Sequence, residues 1–166
     1  MAAKPCDRRI LDRLYSYEDQ VTAHADALDA KANYLLVAET FTAGLAGVAL
    51  QSTHITNWAR LICLAGICSL AYAGVHAWKM LHPENYDAED AIALALWRDE
   101  ILQKNPGLAP EEIEDLFCDG LARGAVERIQ KKLELNKRRA ALLESSYNAT
   151  FLSLALILGS LAMLAF

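Results

Sequence analysis

Three long apolar runs interrupt an otherwise charge-rich chain: Ala32–Leu50, Leu61–Ala77 and Ala149–Phe166. Each has the length of a membrane-crossing helix, which needs roughly 17–25 mostly apolar residues. Ahead of the first run, Ile10, Leu14, Tyr17, Val21, His24, Leu28 and Leu35 recur mainly at spacings of three and four. That pattern predicts one helix over 10–35 with a heptad-like stripe, running straight into the first span. Ahead of the third run, Val126, Ile129, Leu133, Ala140, Leu143 and Tyr147 form a second such stripe, with polar Asn136 at one seam position. Two striped helices therefore enter apolar runs side by side and in the same direction.

The segment between the second and third runs is punctuated by breakers. Span two is expected to stop near Leu81, because His82–Pro83 follows and the residue before Pro disfavours the helical region. A turn at Glu84–Asp87 leads to a helix over Ala88–Lys104, with Ile92, Leu96 and Ile101 on its apolar face. Asn105–Pro106–Gly107 ends it. Ala109–Pro110–Glu111–Glu112 starts the next helix, with Pro and acids in its first turn. Ile113, Leu116 and Phe117 continue an apolar face, and Gly120 and Gly124 are expected to loosen or kink it. From about Gly124 the chain reads as helical to its end.

The predicted fold class is an all-α membrane protein, with three transmembrane helices continuous with a cytoplasmic helical bundle. The expected parts are an N-terminal helix (1–31), spans at 32–50, 61–77 and 149–166, a short outer loop (51–60) and a cytoplasmic helical region (78–148). Composition agrees: 54% of the chain is hydrophobic, and the 22% that is charged lies almost wholly outside the spans. No short apolar run with a cleavage site follows the N-terminal basic residues, so the first span reads as a retained anchor.

Charge sets the expected orientation. Five basic residues (Lys4, Arg8, Arg9, Arg13 and Lys31) precede the first span, whereas the 51–60 loop has only Arg60. The remaining ten lie in 78–148, five of them (Lys131, Lys132, Lys137, Arg138 and Arg139) just before the third span. The positive-inside rule then places the N-terminus and 78–148 in the cytoplasm.

Candidate chemistry is sparse. The four cysteines have no CxxC or Cys/His ligand spacing, so they read as buried, inert thiols, and no metal site is expected. No phosphate loop, HExxH or nucleophile elbow is present, and the chain reads as non-enzymatic, without a cofactor and without a nucleic-acid partner. Glu39 is the single acid inside a span. Intramembrane acids are costly and face protein, water or a partner. The readings for Glu39 are an ion path or gating contact, a protonated or hydrogen-bonded packing residue near Thr40 or Thr42, or an acid reached by water at the inner edge. His76 reads as an interfacial, solvated side chain.

Small residues crowd the first span (Ala43, Gly44, Ala46, Gly47) and the second (Ala65, Gly66, Ser69, Ala73, Gly74). They suit close helix packing, within the chain or between copies as a homo-oligomer, since three spans alone cannot enclose a pore. The Leu-rich third span reads as lipid-facing or as a short span that strains the bilayer. Basic residues near its start read as an anchor to anionic lipid or as an anionic-ligand site formed from Arg123, Arg128, Lys131, Lys132, Arg138 and Arg139. Residues 84–119 carry eleven acids against two basic residues, a net of −9, which directs an anion away from that segment.

The stretch Ala25–Leu36 holds Asp29, Lys31 and Ala32 in a DxKA-type lead into the first span. It resembles the membrane effectors of the Pycsar family. The order of parts is similar too, including a final helix with a mid-length Lys, here Lys137. The resemblance implies an anti-phage effector that senses a cyclic pyrimidine nucleotide, cUMP or cCMP, made by a partner cyclase. It would then impair the inner membrane in abortive infection. The rival expectations are a constitutive small channel or transporter using Glu39, and a membrane adaptor recruiting a soluble partner through the acidic 84–119 face.

Overall fold

A computed structural model of the chain describes residues 8–52, 55–81 and 91–163. The expected turn at Glu84–Asp87, the helix start at Ala88, Cys6 and the terminal Phe166 lie outside them. Among the described residues there is no strand, and four helices account for the fold: α1 Arg8–Gln51, α2 Asn57–Leu81, α3 Ala91–Lys104 and α4 Pro110–Ala162. Three of them (α1, α2 and α4) are long and apolar enough to cross a membrane.

Two of the local breakers act where the sequence puts them, and the described part of α2 reaches Leu81. α3 stops at Lys104, and the Asn105 side chain turns back to donate to the Ile101 carbonyl at 3.0 Å. α4 opens with a reciprocal cap: the Ala109 N–H donates to the Glu112 carboxylate at 3.1 Å while the Glu112 N–H donates to the Ala109 carbonyl at 3.0 Å. The bond from the Glu112 side chain satisfies a backbone donor otherwise left open at a helix start. Thr56 caps α2, accepting from the Ala59 N–H at 3.2 Å. One expectation fails. Gly120 and Gly124 do not interrupt α4, which runs unbroken for 53 residues.

The chain divides into two compact units, and α1 and α4 contribute to both. The charged unit joins the start of α1, up to His24, to 84–135. Val21, Ile113, Ala125 and Ile129 are buried there, and the rings of Trp97 and Phe117 stack with centroids 5.0 Å apart. Gly120 has its reason in this cluster. The Trp97 ring lies where a Cβ would be, so α4 needs a residue with no side chain at that point.

The apolar unit joins 25–83 to 136–166. Its buried positions recur at spacings of three and four on every helix: Leu28, Ala32, Leu35, Glu39, Thr42, Ala46 and Ala49 on α1; Ala59, Cys63, Gly66, Leu70, Ala73, Ala77 and Met80 on α2; Arg139, Leu143, Ser146, Thr150, Ser153, Ile157 and Ser160 on α4. α2 runs antiparallel to the other two. Its backbone and that of α4 approach closely: the Ser69 hydroxyl donates to the Ala149 carbonyl and the Ser146 hydroxyl to the Ala73 carbonyl, both at 2.8 Å. Gly66 permits this, since a Cβ there would sit 2.9 Å from the Ile157 side chain and 3.2 Å from the Ser153 carbonyl oxygen.

The exterior of this unit is apolar. Its seam mixes small and polar residues with Leu28, Leu35, Leu70, Met80, Leu143 and Ile157, while Tyr34, Val37, Phe41, Val48, Leu61, Leu64, Val75, Phe151 and Leu158 are exposed. Trp58 and Trp78, at opposite ends of α2, are also exposed. At 1.5 Å per residue they stand about 30 Å apart, the thickness of a bilayer's hydrocarbon core.

The seam corrects two sequence expectations. Ile10, Tyr17 and His24, assigned to the α1 stripe, are exposed, as are Val126 and Leu133 of the α4 stripe. Charged and small side chains hold the seam positions beside them. The end of α4 is no purely lipid-facing tail either, because Ser153, Ile157 and Ser160 are all fully buried.

Candidate functional site

Glu39 lies on the seam of α1, only 6% exposed. Two apolar layers bracket it along the seam. Leu28, Ala32, Leu35, Met80 and Leu143 pack on one side, and Ala46, Ala49, Cys63 and Ile157 on the other. The heptad spacing that buries Leu35 and Thr42 turns Glu39 inward with them.

Its partners come from α4. The hydroxyls of Ser146 and Thr150, four residues apart and so on one helix face, lie 3.2 and 3.3 Å from Glu39 Oε1. Each hydroxyl also has a nearer acceptor: the Ala73 carbonyl at 2.8 Å for Ser146, and the Ser146 carbonyl at 2.9 Å for Thr150. From α2, Gly74 leaves room for the carboxyl, since a Cβ there would meet Glu39 Oε2 at 3.5 Å. Three helices thus converge on one acid. Thr42 serves its own helix, donating to the Ala38 carbonyl at 2.8 Å, and Thr40 likewise donates to Leu36, so neither is the partner expected from proximity in sequence.

An apolar cleft of about 170 Å³ opens beside this node, between α1 and α4, and Thr42 and Thr150 lie on its wall with Phe41 and Phe151. One turn beyond Thr150, the fully buried Ser153 hydroxyl has no hydrogen-bond partner.

The basic candidates are distributed among internal ion pairs. Arg128 grips Glu18 with two bonds of 3.2 Å, and Lys132 reaches the same carboxylate at 2.7 Å and the Thr22 hydroxyl at 3.2 Å. Burial alone would push the Glu18 carboxyl up. Hydrogen bonds from Arg128 and Lys132, and their charge, outweigh it and hold the pKa below the ordinary value. Arg123 pairs with Asp119 at 2.7 Å on the surface. Arg139 is buried and meets Asp29 at 3.4 Å. Of the family-like residues, Asp29 therefore has a role in packing and Ala32 is fully buried in the seam, while Lys31 and Lys137 are exposed. Lys131 and Arg138 are exposed as well. His76 packs its ring against Tyr72, 4.1 Å between centroids, and its Nδ1 lies 3.0 Å from the Tyr72 carbonyl.

The cysteines differ from one another. Cys63 is a buried free thiol, but Cys68 is exposed and Cys118 is disulfide-bonded, so inert burial describes only the first of these. Among the described residues, no group of three or more His, Cys, Asp or Glu side chains is placed to hold a metal.

Glu39 was visible in the sequence as a lone acid in a span. Ser146, Thr150 and Glu18 were not singled out, and Gly74 was noted only among the small residues of the second span. The usable signal was the recurrence of hydroxyl residues at 146, 150, 153 and 160, at three-and-four spacing within an apolar helix. Compared with protein families, with characterised proteins and with solved structures, the chain matches none.

Proposed function

We propose that the chain is a non-enzymatic membrane effector. Its apolar unit crosses a bacterial inner membrane three times, and its charged unit receives a signal on the cytoplasmic side. The observation that carries the membrane reading is the exterior of the apolar unit, itself apolar, with exposed Trp58 and Trp78 set about one hydrocarbon thickness apart. The coupling reading is supported by α1 and α4. Each is one uninterrupted helix that serves both units, so a ligand preferring one arrangement of the charged unit shifts helices that also hold Glu39. Gly44 and Gly47 face open space, which suits contact between copies and the homo-oligomer that a conducting pathway of this size requires.

The nature of the signal, cUMP or cCMP from a partner cyclase, and the setting in phage defence come from the DxKA-type resemblance at Asp29, Lys31 and Ala32. The test is membrane potential in cells carrying the full chain. Raising either nucleotide should depolarise them, and a normal potential under saturating nucleotide overturns the proposal. Depolarisation without any nucleotide favours instead a constitutive channel through Glu39. Normal potential with a co-purifying soluble protein favours the adaptor.

The disulfide at Cys118 favours a second reading of orientation. Disulfides persist in oxidising compartments, which sets the charged unit outside, against the positive-inside rule. A membrane-impermeant maleimide separates the two. With a cysteine introduced at exposed Glu111, labelling of intact cells places the unit outside, and labelling only after lysis places it inside.

A further inference from the structure

The hydrogen-bond geometry around Glu39 raises a question of proton supply. The Ser146 and Thr150 hydroxyls own one proton each. Their shortest contacts, 2.8 and 2.9 Å, are to carbonyls that can only accept. Spent there, those protons leave lone pairs facing Glu39 Oε1 at 3.2 and 3.3 Å. A proton on the carboxyl then completes one of these contacts, and the other hydroxyl divides its proton between its carbonyl and Glu39 Oε1. The surroundings agree: α4 presents neutral hydroxyls, α2 presents the Ala73 carbonyl and the bare Gly74, and no cation or second acid bonds to Glu39 among the described residues. The oxygens also stand at hydrogen-bond spacing from one another. A metal ion would have to push them apart and would find a single carboxylate among them.

We infer that Glu39 is a binding site for one exchangeable proton, and that a proton, not a metal cation, is the ion this unit handles. The step is plain proton exchange. The carboxyl O–H bond breaks as its proton passes to a water oxygen, that water releases one of its own protons onward to solvent, the carboxylate remains, and nothing is oxidised or reduced. Ser153 supports the relay, since it is a fully buried hydroxyl without a partner, one turn beyond Thr150 on the same face. Buried polar groups of this kind are satisfied by a water or a mobile proton donor. The layers around Leu35 and around Ile157 close the compartment along the seam, and the cleft walled by Phe41, Thr42, Thr150 and Phe151 approaches it from the side.

The inference rests on the membrane reading above but not on the nucleotide signal. The test uses the full chain in vesicles of neutral and anionic phospholipid, treated with dicyclohexylcarbodiimide, a lipid-soluble reagent that attaches to protonated carboxyls. The expected result is an adduct on the peptide containing Glu39, falling as pH is raised, indifferent to excess Na⁺ and absent in Glu39→Gln. Thr150→Val should retain the adduct but change its pH profile. Failure to label Glu39 at any pH, or protection by Na⁺, overturns the proton site. Carbonate extraction keeps the two failures apart: protein that washes out of the vesicles sinks the membrane reading, and protein that stays but is not labelled sinks only the proton site.

Discussion

Glu18 and Glu39 sit on the same helix, three heptads apart, and each faces a pair of α4 side chains spaced four residues apart. Glu18 meets Arg128 and Lys132; Glu39 meets Ser146 and Thr150. The geometry is shared and the chemistry is opposite. In the charged unit the acid is compensated by full charges, and its pKa is held down. In the apolar unit it is compensated by hydroxyls, which cost less to keep away from water than a paired Lys or Arg would. The same scaffold position thus fixes a charge at one end and a proton at the other.

The largest test of this contrast strikes the seam itself. Gly66→Leu puts side-chain atoms where the Ile157 side chain and the Ser153 backbone already are. Overpacking of this kind costs about 1–3 kcal/mol or more. The apolar unit should lose its monodisperse profile in detergent and its cooperative melting. The charged unit should keep the protection of residues 113–129 against hydrogen exchange.

A smaller effect is expected at Glu18. Removing the carboxylate in Glu18→Gln takes from Arg128 and Lys132, both mostly buried, the ion pairs they share with Glu18, at a cost of about 2 kcal/mol after allowance for their partial contact with water. A lowered folded pKa contributes stability that is present above the ordinary Glu value and disappears as pH falls through the folded one. Hydrogen exchange over 113–129 should therefore accelerate below the usual carboxylate range in the natural chain. Glu18→Gln should be already weakened at neutral pH and flatter on acidification.

Smaller again is the loss of one hydroxyl. Ser146→Ala removes an interhelical bond to Ala73 and a contact with Glu39. Interhelical bonds in lipid average about 0.6 kcal/mol, so unfolding of the apolar unit in mixed micelles should shift only slightly. The carbodiimide reaction at Glu39 should change visibly. A large stability loss with unchanged reactivity would mean that the hydroxyl serves packing and not the acid. The least effect belongs to Arg123→Ala, which breaks an exposed pair with Asp119. Screened by solvent, such pairs contribute about 0.3–0.5 kcal/mol, and melting should barely move.

Two helix ends were legible in the sequence because their causes are local: the break at Asn105–Gly107 and the start at Pro110. The seam was legible in period but not in phase. Tyr17 and Val126 look like core residues, yet they are exposed, while Glu18 and Ala125 hold the adjacent inward positions. In a soluble helix the larger apolar residue wins the interior. Here the inward place beside Tyr17 goes to Glu18 because Arg128 and Lys132 pair with it, so hydrophobicity does not report which way is in. Glu39 stood out alone because an acid among apolar residues needs no register to be noticed. Its partners lie 107 and 111 residues away on another helix, and only the folded register brings them there.

The two tryptophans of α2 carry one more consequence. A helix anchored by indoles at both ends has a fixed span, so its comfort depends on bilayer thickness. In a thinner or thicker membrane α2 must tilt, or the lipid must deform around it. With α2 crossing the bilayer as proposed, either response acts on the helix that carries Ala73 and Gly74 beside Ser146 and Glu39. Lipid chain length would then be an input to that site in its own right, acting through mechanics with no ligand at all.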